Sequence, residues 1–236
     1  MKRIFALLAV AAGLLPFGAA LADGPLTVVE LYTSQGCSSC PPADRLAGEL
    51  TKRKDVLPLS LHVDYWDYIG WKDPFARAEH TERQRAYSRQ FNLRYVYTPQ
   101  MVVDGTFQAS GGNPSDIYAF IEKSKALPHV PVKLVRGATG LKVALPEFAV
   151  DGSIDVISVF ADRRHETRIK KGENGGQTLA YHNVVRDMQS IGAWRGEARE
   201  IDIPMSEAGG EICAVILQDP TTRRIIGAAK IALDRS

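Results

Sequence analysis

Apolar positions fall along the chain in two rhythms, and the change between them comes near Pro128. Before it, β-rich runs alternate with stretches of helical spacing. Leu26 to Thr33 is dense in β-branched and aromatic types and predicts a strand. Pro41 and Pro42 then precede Ala43 to Lys54, where Leu46 and Leu50 stand four apart; prolines suit a first helical turn, whose amides lack partners anyway. A second strand is expected from Leu59 to Asp64, with Pro58 marking its start because proline cannot donate to a ladder. An aromatic loop, Tyr65 to Trp71, leads to Asp73-Pro74 and a helix over Phe75 to Phe91, with Glu79 and Arg83 at supportive spacing. Gln100 to Val103, Asp104-Gly105 and Thr106-Phe107 read as a hairpin, and Asn113-Pro114 caps a last helix to Ala126. The resulting order is β-α-β-α-β-β-α.

Past Pro128 the runs become short and alternating: Val132 to Arg136, Leu141 to Leu145, Ile154 to Phe160, His182 to Met188, Ala198 to Ile203, Cys213 to Gln218 and Ile225 to Ile231. Turn residues separate them, as in an all-β sandwich. Asp162 to Gln177 is a polar, glycine-containing loop between two of these strands. The chain thus divides into an α/β domain over residues 23–128 and a sandwich-like β-rich domain over 129–236.

Residues 1–22 stand apart. Lys2 and Arg3 precede an apolar run from Ile4 to Leu15, and small residues end at Ala22. That is the pattern of a secretory signal peptide cleaved before Asp23; the run is too short to cross a bilayer comfortably. Without Lys2 and Arg3, the 29 basic residues fall to 27 against 27 acidic ones. A formally neutral mature chain lacks the basic face that a nucleic-acid partner requires. No later apolar run is long enough for a membrane span. The three cysteines, Cys37, Cys40 and Cys213, would meet an oxidising compartment, where thiols are paired or chemically employed. Cys213 lies in an apolar run and reads as a buried small hydrophobe.

Thr33-Ser34-Gln35-Gly36-Cys37-Ser38-Ser39-Cys40-Pro41-Pro42 follows a strand and precedes a helix, and Thr98-Pro99 precedes a hairpin. The stretch from Val28 to Gly105 resembles the thioredoxin superfamily, and within it a family of bacterial secreted proteins carrying a domain-of-unknown-function label. The resemblance implies a thioredoxin-like domain, a periplasmic location, and protein or small-molecule thiols and disulfides as partners. It also implies that Pro99 is cis and lies with Thr98 beside the dithiol, presenting backbone to substrate. A cysteine placed accessibly at a helix N-terminus is a thiolate donor, which makes Cys37 the nucleophile; Cys40, one turn on, resolves the mixed disulfide.

Parallel strands bring the loop after Asp64 to the same sheet edge, so Asp64 and Trp66 are expected to wall the site. The alternatives are a strand-end cap for Asp64 and packing beneath the loop for Trp66 and Trp71. Thioredoxins proper carry a buried acid six residues before the first cysteine. Leu31 stands there in this chain, and Glu30 falls on the opposite strand face. For the dithiol itself two other readings stay open: a structural disulfide within a binding module, and soft-metal handling by Cys37, Cys40 and His62. No second close pair completes a structural zinc site, no cofactor motif appears, and no cofactor is expected.

Overall fold

The computed structural model describes residues 25–137 and 140–233. The leader expected over residues 1–22 lies outside them. Eleven strands, three α-helices and one short 3-10 helix (Asp67–Ile69) follow one another among the described residues. The first half runs β1 (Thr27–Thr33), α1 (Pro41–Leu50), β2 (Val56–His62), α2 (Ala78–Gln90), β3 (Gln100–Val103), β4 (Phe107–Ser110) and α3 (Pro114–Lys125), in the order that the spacing predicts. The second half is all-β: β5 (Lys133–Gly137), β6 (Gly140–Leu145), β7 (Ile154–Arg168), β8 (Thr178–Trp194), β9 (Arg199–Ile203), β10 (Ile212–Gln218) and β11 (Ile225–Ala232).

The halves share one mixed sheet, ordered β11-β10-β7-β8-β2-β1-β3-β4, while β5-β6-β9 form a second, smaller sheet. Alternating apolar runs mark strands but carry no information on which sheet each joins. The junction is narrow: β2 pairs with β8 through Ser60 and Val184 alone. This explains why Pro58 lies within β2 rather than at its start. Its carbonyl accepts a bond from the Asn183 side chain on β8, so its nitrogen points to the same side, where the ladder is interrupted and no amide is required.

One face of the large sheet packs Val28, Tyr32, Leu59, Val159 and Ile216 against Tyr87 of α2. The opposite face packs Val29 and Leu31 on α1 and α3, and farther along Phe160, Trp194 and Val215 on the small sheet. Alternation therefore sends Glu30 away from Leu31, as the strand period requires. There Glu30 accepts bonds from Arg83 Nε and Tyr87 Oη, both at 2.6 Å. Arg83 also donates to Gln218 of β10 at 2.9 Å, tying the two halves through a buried ion pair.

Two connections differ from expectation. The β3–β4 turn spans three residues rather than two, with Asp104 and Gly105 both at positive φ, 43° and 62°. A Cβ on Gly105 would stand 1.9 Å from the Arg223 carbonyl oxygen, so only glycine lets this turn dock on the β10–β11 connection. Strand β7 also runs on to Arg168, well into the polar segment read as a loop, leaving only residues 169–177 as its tip.

Candidate functional site

At the end of β1 the chain turns sharply before α1. Cys37 N donates to Ser34 O and Cys40 N to Cys37 O, and Cys40 is the residue that caps the helix. Cys37 and Cys40 form a disulfide. Pro41 and Pro42 fill the first helical positions, where no amide is missed. The expected placement needs two corrections. The helix begins one turn after Cys37, and Cys37 is 1 % exposed rather than accessible. The neighbours of Gly36 and the tip of the β7–β8 hairpin enclose it.

Several elements supply that enclosure. The Thr98–Pro99 peptide bond is cis, and Ser39 Oγ stands 3.5 Å from the Thr98 carbonyl and 3.4 Å from Cys37 Sγ. Trp66 is half-buried and donates from Nε1 to Thr98 Oγ1 at 2.7 Å, while its Cβ lies over Gly36. Thr98, Pro99 and Trp66 thus meet beside the dithiol. Asp64 does not: its carboxylate accepts from Thr81 Oγ1 of α2 at 2.6 Å and acts as the strand-end tie. Trp71 donates to the Gln35 side chain at 2.8 Å.

A second group comes from far along the chain. Asn174, buried at the tip of the β7–β8 hairpin, donates to the carbonyls of both Gln35 and Cys37 at 2.9 Å. Glu173 accepts from the Ser38 amide at 3.3 Å. Nothing in the sequence points to these residues, because more than a hundred positions separate them from the dithiol.

Beneath the bridge lies a buried polar cluster. Asp44, one helical turn after Cys40 and on the same face, accepts from Thr33 Oγ1 at 2.8 Å. Its other oxygen, Nε2 of His62 and the hydroxyl of Tyr181 are buried with no partner in the protein. Burial pushes the Asp44 carboxyl up to about 7, against the opposing pull of His62 and of the Thr33 bond. His62 is fixed by Asp73, whose Oδ2 lies 2.7 Å from Nδ1 and also accepts from the Gln35 amide. Burial works to raise the Asp73 carboxyl, yet His62 and the amides of Gln35 and Phe75 outweigh it and hold it below the usual range. The soft-metal alternative loses one nitrogen of His62 to this pair, and no three donors among the described residues are grouped to hold a metal ion. Cys213 is buried in the other half, and burial pushes its thiol up to about 12.

A family model described as protein of unknown function, DUF1223, matches residues 28–218, which is most of the chain and includes every residue of the site just described. The chain belongs to the DUF1223 family. The crystal structure of protein AGR_C_4864 from Agrobacterium tumefaciens is similar, with 31% identity, 91% of this chain and 98% of that chain covered, and a TM-score of 0.77. HBP35 of Porphyromonas gingivalis shares the fold at 16% identity, with 90% of this chain and 76% of that chain covered and a TM-score of 0.58. No curated protein matches. The large family match runs through both halves, as does the shared sheet.

Proposed function

We infer that the protein is an exported, periplasmic thiol-disulfide oxidoreductase with a thioredoxin-like N-terminal half, in which Cys37 attacks and Cys40 resolves. The observation that carries this reading is the bridge between β1 and α1, with Thr98 and Pro99 on one side and the Asp44 carboxyl beneath. In the reduced protein, the Cys37 thiolate would attack a substrate disulfide, forming a mixed disulfide and releasing one substrate thiolate. Cys40 then gives its proton to Asp44, and its sulfur attacks Cys37. The internal bridge forms and the second substrate thiolate leaves. With the protein oxidised and the substrate reduced, the same steps run backwards.

A staple role has less to recommend it. In the chain-entropy picture a bridge closing only four residues contributes about 2 kcal/mol, less than a bridge across a long loop. A protein with three buried apolar clusters does not depend on that increment. The structural-disulfide reading is favoured by one observation, the burial of both cysteines at 1 % and 0 %. The two readings separate in cells. Cys40→Ser should accumulate mixed disulfides through Cys37, whereas Cys37→Ser should not. Equal trapping by both variants, or none by either, would remove the assigned roles.

A further inference from the structure

The hairpin tip over residues 169–177 is held to the dithiol from three sides. Asn174, 1 % exposed, gives both its side-chain hydrogens to the carbonyls of Gln35 and Cys37. Gly172 faces the Ile69–Trp71 loop, where a Cβ would stand in ordinary contact at 3.4 Å from the Ile69 carbonyl and the Trp71 side chain. Glu173 brings a carboxylate to the Ser38 amide, one peptide unit from Cys37. The tip is also self-consistent: Ile169 and Gln177 bond across its base, and Gly176 N donates back to the Ile169 carbonyl at 2.8 Å. Its backbone bonds are therefore closed within the tip itself, at the end of two long strands. Enclosed by this tip and by the Trp66 loop, the Cys37 sulfur meets another sulfur in line only when the enclosure opens.

We propose that the β7–β8 hairpin tip is a redox-responsive closure, shut by Asn174 over the disulfide and released when reduction places a thiolate on Cys37 beside the Glu173 carboxylate. The disulfide is uncharged, so in the oxidised protein Glu173 occupies the Ser38 amide unopposed. Reduction by a dithiol adds two electrons and two protons to the bridge and oxidises the dithiol to its own disulfide. Ionisation of Cys37 then adds a negative charge to the residue next to the amide that Glu173 occupies, and a like charge brought that near disfavours the closed arrangement. The closure would keep the oxidised form from indiscriminate reduction and expose the reduced form to its partner. The proposal rests on the dithiol being reducible in the folded chain.

Hydrogen exchange on the whole protein tests it, oxidised and then reduced with dithiothreitol at pH 8. The Ser38 amide, which donates to Glu173 in the closed arrangement, should lose at least about tenfold in protection on reduction, and Glu173→Gln should retain most of it. Asn174→Ala should lose the protection in both states and be reduced at least about tenfold faster than the unaltered chain. Equal protection in the two states of the unaltered chain would overturn the closure, as would an unchanged reduction rate in Asn174→Ala. Loss of protection in Glu173→Gln equal to that of the unaltered chain would overturn the charge mechanism. A bridge that dithiothreitol cannot reduce without unfolding would instead refute the functional reading beneath the proposal.

Discussion

Replacing Asp44 by Asn isolates the electrostatics of the buried cluster. Asparagine keeps the volume and the oxygen that accepts from Thr33 Oγ1, but it cannot ionise. In the native protein burial raises the Asp44 carboxyl from 3.8 to about 7, so between those values the folded state binds a proton that the unfolded state has released. Stability contributed by this group is complete below about pH 4, and it is lost as pH rises through about 7. A displacement of this size corresponds to a few kcal/mol, on the order of 1.4 kcal/mol for each pH unit of difference. Urea denaturation of both proteins with the disulfide intact, at half-unit steps from pH 4 to 8.5, measures the effect. The difference in unfolding free energy should swing by a few kcal/mol in favour of Asp44→Asn as pH rises from 4 to 7, then level off. Parallel curves across that range would refute the reading, because they would mean that Asp44 ionises in the folded protein as it does in water.

Three further outcomes follow from other parts of the fold. Glu30→Ala leaves Arg83 in its buried position facing Tyr87 and Gln218 without its counter-charge, and should cost about 3 to 5 kcal/mol by urea denaturation, with much of the loss recovered when Arg83 is also made Met. Gly105→Ala drives a methyl to 1.9 Å from the Arg223 carbonyl at a φ of 62°; it should destabilise by about 3 kcal/mol or more, read as a drop in thermal midpoint. His129 is held to Asp104 at 3.3 Å, and that bond raises its imidazole above the usual value. Its contribution is therefore present at pH below the unfolded value and lost as pH rises through the folded one, so His129→Gln should flatten the decline in stability through that interval.

Much of the first half was legible because local rules and tertiary structure agree there. The prolines after Cys40, the Asp104-Gly105 turn and the alternation that separates Glu30 from Leu31 each fixed their element nearly in place. Pro58 was misplaced for an instructive reason: a rule about ladder hydrogen bonds needs to know which neighbour a nitrogen faces, and β8 is more than a hundred residues away. The same distance hid Asn174 and Glu173, the residues that enclose Cys37. A sequence of helix N-terminus and Cys-x-x-Cys implies an accessible sulfur only if nothing else folds over it. Asp44 carried a weak signal, standing four residues after Cys40, but its environment depends on Tyr181, Asp73 and His62 arriving from three separate segments.

The central claim is that the Cys37–Cys40 bridge is a working redox couple within the folded protein. Equilibrating the purified protein across a series of reduced and oxidised glutathione mixtures, and counting free thiols by mass after alkylation, tests it most directly. A working couple gives a single two-electron transition confined to Cys37 and Cys40, reversible from either direction, with the fold intact throughout. A bridge that stays closed in every mixture, and opens only when the protein unfolds, would contradict it.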